Sequence, residues 1–206
     1  MAYLTCWHMT DLPTEIVEII ERDLQKHDEH VQDSLIHGEE VDKVIRNSKN
    51  LWIPTSNWIG GWLWYYIDKI NRENFCYDLT DIDGGSIQYT QYGPGQFYNW
   101  HQDADIDLFY KPQLTPASGM NMSQDQVTLN GEYVRKLSFA LQLSDPTDYT
   151  GGEVQFLDNS SRTYFAAPKQ RGTLMVFDSR TKHRVRKVKS GLRKSLVGWV
   201  VGPRWK

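Results

Sequence analysis

Four residues of this 206-residue chain have types and spacing that could do chemistry together: His101 and Asp103, then His183, then Arg193. Two imidazoles and a carboxylate can cap one face of a divalent metal and leave its other positions open, a donor set used by non-haem Fe(II). An arginine adds a planar fork that grips a carboxylate through two parallel hydrogen bonds. A His-x-Asp pair alone carries little information, because it arises by chance in a chain of this size. A strand-end histidine bonded to Asp103 is the competing reading of His101.

Whether the four share a site depends on the elements that carry them. From Gly84 onward the sequence breaks into short alternating runs separated by Gly, Pro, Asn and Asp. The runs are Ser86–Tyr92, Phe97–Gln102, Lys136–Leu143, Gly152–Leu157, Thr173–Asp178, His183–Val188 and Arg193–Val201. Seven short strands of this kind indicate an antiparallel sandwich or barrel. In a strand, side chains two apart point the same way, so His101 and Asp103 can reach one ion. Alternation also puts Arg193, Ser195, Val197 and Trp199 on one face. On the run 136–143, Leu137, Phe139, Leu141 and Leu143 form an apolar face, and Ser138, Ala140 and Gln142 form one suited to lining a cavity. An inward arginine is costly without an anion; a solvated place at the barrel rim is the alternative for Arg193.

The first 83 residues read as a mainly helical support. Pro13 to His30 repeats Ile16, Ile19, Ile20 and Leu24 at helical spacing, and Asn57 to Asn74 does so with Leu63, Tyr66, Ile67 and Ile70 behind an Asn57 cap. Leu51-Trp52-Ile53-Pro54 reads as a short extended piece. Four of the six histidines (His8, His27, His30 and His37) fall in this part. They read as solvated helix-face or loop residues, which leaves His101 and His183 as the pair in the strand-rich region. The connection from Ala104 to Glu132 is too long for a barrel turn and reads as a lid or binding loop, with a disordered insertion as its alternative.

Composition narrows the class. Length fits one domain, residues 1–206, with a sizeable core. Two cysteines, Cys6 and Cys76, make no disulfide framework and favour a reducing compartment. No secretory signal or membrane-length apolar run is evident, so the expected setting is the cytoplasm, with no membrane partner. From Lys169 to Lys206 twelve Lys/Arg stand against one acid, Asp178. The alternation in Lys182–Val188 fits a solvated strand face, and basic count alone does not make a nucleic-acid interface.

The segment Tyr92-Gly-Pro-Gly-Gln-Phe-Tyr98-Asn-Trp-His101-Gln-Asp103 resembles the Tyr-x-x-Gly-Gln-x-Tyr-x-x-His-x-Asp motif of prolyl 4-hydroxylase-type Fe(II)/2-oxoglutarate dioxygenases. His183-Arg-Val185 through Val188, Gly191 and Arg193 is similar to that superfamily's His-x-Val…Val-x-x-Gly-x-Arg pattern. Thr150-Gly151-Gly152-Glu153-Val154 resembles a shared Gly-Gly strand start. The resemblance covers about residues 40 to 203 and implies a mainly β fold with flanking helices, a double-stranded β-helix (jelly-roll) over 84–206.

It further implies that His101, Asp103 and His183 bind Fe(II) and that Arg193 holds the distal carboxylate of 2-oxoglutarate, with Tyr92 donating from its hydroxyl. Gln142 stands where relatives often have a Tyr or Thr that helps hold the same carboxylate. Arg135, Tyr98, Trp100 and Trp199 match places bordering the substrate cleft, although packing at the barrel mouth explains them as well. The implied activity is hydroxylation, with 2-oxoglutarate and O2 consumed, ascorbate as a candidate reductant, and prolyl residues of a peptide or protein as the leading substrate. Two other readings stand beside it: a cupin-like metal dioxygenase that does not use 2-oxoglutarate, and a non-catalytic binding module on the same barrel.

Overall fold

The computed structural model describes residues 7–34, 45–104, 133–158 and 162–205. In chain order the elements are β1 (Trp7–Asp11), α1 (Thr14–Gln25), β2 (Gln32–Asp33), β3 (Arg46–Asn47), β4 (Lys49–Pro54), α2 (Trp58–Ile70), β5 (Asp81–Ile82), β6 (Ser86–Tyr92) and β7 (Phe97–His101). There follow β8 (Tyr133–Gln142), β9 (Tyr149–Gly151), β10 (Val154–Asp158), β11 (Thr163–Ala166), β12 (Thr173–Asp178), β13 (His183–Val185), β14 (Val188–Gly191) and β15 (Arg193–Pro203). The expected connection 104–132 lies, from residue 105 onward, outside the described residues.

The strands form a major sheet in the order β1-β12-β8-β15-β6-β4-β2, with β5 also on β15, and a minor sheet in the order β11-β10-β13-β7-β3. The two sheets face each other as a double-stranded β-helix. Ala140, Met175 and Phe177 of the major sheet pack with Val154, Phe156 and Ala167 between the layers. A short ladder, β14-β9, closes one end.

The other face of the major sheet is the main core. Leu137, Phe139, Leu141 and Leu143 lie there, as alternation predicts, with Leu174, Val176, Leu196 and Val200 beside them. Gly198 makes room for this packing, since a Cβ at that position would come within 2.4 Å of the Phe139 ring. Helices α1 and α2 cover the face with Val17, Ile20 and Leu24 from one and Ile59, Leu63, Ile67 and Ile70 from the other. Asn57 does cap α2, accepting from the Ile59 amide at 3.0 Å. The buried stripe of α1 is turned from the expected one: Val17 is buried while Ile19 is exposed. Among the described residues no helix is long and apolar enough to cross a membrane.

Residues 1–83 carry both helices and also add strands, since β1 pairs with β12 and β4 with β6, which widens the major sheet. One expectation needs correction. The single strand expected over His183–Val188 is two. β13 pairs with β10 and β7, the chain breaks at Arg186-Lys187, and β14 moves to a separate ladder with β9.

Candidate metal centre

The ends of β7 and β13 build the centre. His101 and His183 are direct cross-strand partners in the minor sheet, with ring centroids 4.2 Å apart. Asp103 lies just past β7, and its amide donates to the Ser179 carbonyl at 2.9 Å. That anchor brings its carboxylate between the rings: Oδ1 is 3.5 Å from His101 Nε2 and Oδ2 is 3.4 Å from His183 Nε2. One donor atom from each residue lies within 4.8 Å of the others, the one such group of three among the described residues.

The rings are set for a cation. His101 Nδ1 lies 2.7 Å from the Asn99 carbonyl, and His183 Nδ1 lies 2.9 Å from that of Thr181. A carbonyl can only accept, so each Nδ1 carries the proton and each Nε2 offers its lone pair to the shared centre. This orienting bond is the usual companion of a metal-binding imidazole. Burial holds the His183 imidazole down to about 4, against a smaller upward pull from Asp103, so the ring is neutral and able to ligate at ordinary pH. Burial alone would raise Asp103; His183, His101 and the Ser138 hydroxyl outweigh it and hold the carboxyl well below its usual range. Ser138 donates to Asp103 Oδ2 at 2.7 Å and meets the Ser179 hydroxyl at 2.9 Å. The donor set, its tautomers and its charge state fit a 2+ ion.

Arg193 opens β15 on the same inner face. It is 1% exposed, so the rim alternative is excluded. Its Nη2 donates to Gln142 Oε1 at 2.8 Å and its Nη1 to Ser195 Oγ at 3.2 Å. The guanidinium lies 5.5 Å from the centre of the Tyr92 ring, and Tyr92 faces it in register across β6. No acid pairs with Arg193 among the described residues, and its Nε has no hydrogen-bond partner. A buried cation with only neutral neighbours is an unbalanced cost, and a bound carboxylate would balance it. Gln142 touches Arg193 and Ser138 touches Asp103 on the same strand, four residues apart, or about 13 Å. A short dicarboxylate, with its bonds at either end, spans a gap of that order.

A scan against protein-family models matches the 2OG-Fe(II) oxygenase superfamily over residues 87–201. The chain belongs to this superfamily. Fe(II), 2-oxoglutarate and O2 are its metal and cosubstrates, and the donor set above suits them. Relatives of the chain include a PKHD-type hydroxylase of Picosynechococcus, 30% identical over 115 residues, which are 56% of this chain and 41% of that protein. Another, from a Synechococcus strain, is 42% identical over 64 residues, covering 31% of this chain and 28% of that one. The matched part is thus less than half the length of these curated relatives. Among solved structures, a Pseudomonas putida prolyl-4-hydroxylase superposes with a TM-score of 0.69 at 20% identity, covering 96% of this chain and 93% of the other. A Trichoplax adhaerens prolyl hydroxylase, solved with a hypoxia-inducible-factor peptide, gives 0.71 at 14% identity over 96% and 84%. These structures share the jelly-roll fold.

Of the expected cleft residues, three gather at the centre. Tyr98 stacks on His101 at 3.5 Å between centroids. Its phenol is pushed up to about 12, chiefly by burial, so it stays protonated. Arg135 pairs with Asp83 at 2.7 Å and lies 4.1 Å over the Trp199 ring. Trp199 is buried, and its Nε1 has no hydrogen-bond partner.

Trp100 does not join them; it packs against the Arg184 guanidinium at 4.5 Å and near Tyr164. As the neighbour of His101 in the strand, it points to the opposite face. Between the pairs Val185↔Tyr98 and His183↔His101, β7 advances three residues while β13 advances two. The extra residue is a bulge that brings Tyr98 to the face of His101. Sequence reading missed Ser138 as the support of Asp103, and Arg46. Arg46 is buried, bonded to Gln88 at 2.7 Å and set 4.9 Å over the Tyr98 ring. A lone serine and a lone arginine carry no spacing signal, so only the fold reveals them.

Proposed function

We propose that this protein is an Fe(II)- and 2-oxoglutarate-dependent hydroxylase acting on a peptide or protein, with prolyl residues the favoured target. One observation carries the reading: Arg193, fully buried without an acid partner among the described residues, lies on the interior face that also holds Asp103 and the histidines. His101, Asp103 and His183 would bind the metal. Arg193, held by Gln142 and Ser195, would take the distal carboxylate, with Tyr92 beside it. When bound, iron and 2-oxoglutarate would activate O2, one oxygen atom entering a C–H bond to give C–OH and the other entering the succinate formed as 2-oxoglutarate loses CO2.

The protein's part is binding, orientation and exclusion of water. Ser138 fixes the rotamer of Asp103, the Asn99 and Thr181 carbonyls fix the imidazoles, and Tyr98 and Trp199 wall the centre with Arg135 above. The peptide assignment draws on the prolyl hydroxylases of the same fold, one of them solved with a peptide. A cupin-like dioxygenase without 2-oxoglutarate, or a binding module, would leave Arg193 uncompensated. The described residues read as one catalytic domain, and a reducing, cytoplasmic setting suits Fe(II).

Anaerobic addition of Fe(II) and 2-oxoglutarate tests the reading. A weak visible charge-transfer band is expected, lost in His183→Ala, followed by succinate formation with proline-containing peptides once O2 is admitted. Protein that binds Fe(II) but gives neither band nor succinate contradicts it.

A further inference from the structure

Arg193 and the hydroxyl of Tyr149 are buried against each other: Arg193 acts directly on that hydroxyl, and among the described residues the phenolic proton meets no acceptor and Arg193 Nε no partner of good geometry. Tyr149 opens β9, outside both main sheets, and its side chain is almost wholly buried. The two side chains meet across Gly152. A Cβ on that glycine would lie 3.1 Å from Arg193 Cδ, 3.2 Å from Tyr149 Cε2 and 3.0 Å from Val188 Cγ2. Its φ of +66° is one that side chains rarely adopt. The Gly151-Gly152 pair thus serves a packing need: it lets the phenol of β9 reach the arginine of β15.

The ring is also braced from behind. Lys169 Nζ lies 4.2 Å over it and donates to the Gly151 carbonyl at 3.0 Å. The nearest acid acting on the phenol is Glu153, which faces Arg186 at 3.9 Å.

We propose that Tyr149 is a binding residue of the cosubstrate pocket, its hydroxyl and Arg193 Nε together holding the distal carboxylate of 2-oxoglutarate. The inference rests on the reading of the pocket given above and assigns to it a residue from an element that the sequence motifs do not include. A neutral phenol has one proton to donate and a carboxylate only accepts, so the pairing is chemically matched. Burial, stronger than the opposing influence of Arg193, raises the phenol and keeps that proton in place.

A buried hydroxyl whose proton meets no acceptor is costly, so its place against an arginine with no acid partner among the described residues marks a ligand position. Gln142, the nearest polar group on β8, has its amide oxygen occupied by Arg193, so the hydroxyl of β9 is the donor left for a carboxylate.

The test compares two keto acids on the Mn(II)- or anaerobic Fe(II)-loaded protein, with affinity read by titration calorimetry. 2-Oxoglutarate and 2-oxopentanoate share a five-carbon chain, and only the first has a distal carboxylate. Tyr149→Phe should weaken 2-oxoglutarate about tenfold, the scale of one hydrogen bond to a charged group. It should leave 2-oxopentanoate and the metal affinity within twofold. Unchanged 2-oxoglutarate affinity overturns the assignment, and so does an equal loss for both acids, which would mean that Tyr149 acts through the fold. A thermal melt of the variant without ligand confirms folding, and Gln142→Tyr in the Tyr149→Phe background should recover affinity if a hydroxyl is what was lost. Wild-type protein that binds metal but neither acid overturns the cosubstrate reading itself, a result distinct from the others.

Discussion

The two faces of β8 and β15 carry opposite assignments within single strands. Facing the helices are Leu137, Phe139, Leu141, Leu196 and Val200, all fully buried and all apolar. Facing the minor sheet, beside Ala140, Val197 and Trp199, are Ser138, Gln142, Arg193 and Ser195, just as buried but polar. Burial therefore does not separate core from site here; what satisfies the buried atoms does. The apolar face is satisfied by packing. The polar face is satisfied by directed bonds, Ser138 to Asp103 and Arg193 to Gln142, and leaves Arg193 Nε unmet. One face stabilises the fold, and the other spends some of that stability on a binding site.

Substitutions on either face should separate the two assignments. The largest loss is expected at the centre. His183→Ala should cut metal affinity and turnover by more than about a hundredfold, beyond what loss of an orienting partner costs, with little change in the urea unfolding midpoint. On the opposite face, Phe139→Ala should remove about 3–5 kcal/mol of stability by leaving a cavity while metal affinity per folded molecule holds, as urea melts and metal titrations of the same samples would show. If Phe139→Ala loosened the metal as much as the fold, the faces would not be independent. Ser138→Ala should weaken metal binding by about 10–100-fold without a cavity-sized loss of stability, which fixes it to the polar face despite its full burial.

The smallest effect concerns acid at the end of the same sheet. Burial alone would raise Asp178, but Arg180 at 2.5 Å and the Tyr77 hydroxyl at 2.7 Å prevail and hold it below the ordinary carboxylate value. A carboxylate held low stabilises the fold above its unfolded pKa, about 3.9, and loses that contribution as pH falls through its folded value. Melting temperature should thus drop below about pH 4, and Asp178→Asn should flatten the drop; an equal slope in both proteins would refute the assignment.

Much of this was legible because strand alternation is local. The inward set Arg193, Ser195, Val197 and Trp199, and the split of 137–143 into two faces, depend only on a period of two. The triad was legible because its residues lie at strand ends within recognisable motifs. What alternation could not show is where it fails. The bulge that brings Tyr98 to the face of His101 is a feature of pairing with β13, not of β7 alone. The division of 183–188 into β13 and β14 likewise follows from a change of partner at Arg186-Lys187. Ser138 and Tyr149 matter through what they touch, and those contacts span 35 and 44 positions of chain.

The uncompensated charge of Arg193 also bears on how long the protein lasts. A ligand that binds the folded chain and not the unfolded one lowers the unfolded fraction in proportion to its saturation. An anion that neutralises so deeply buried a cation would leave the loaded protein opening less often than the empty one, and so less exposed to proteases. The supply of one small metabolite would then govern abundance as well as turnover, and a cell short of it would lose the catalyst along with the reaction.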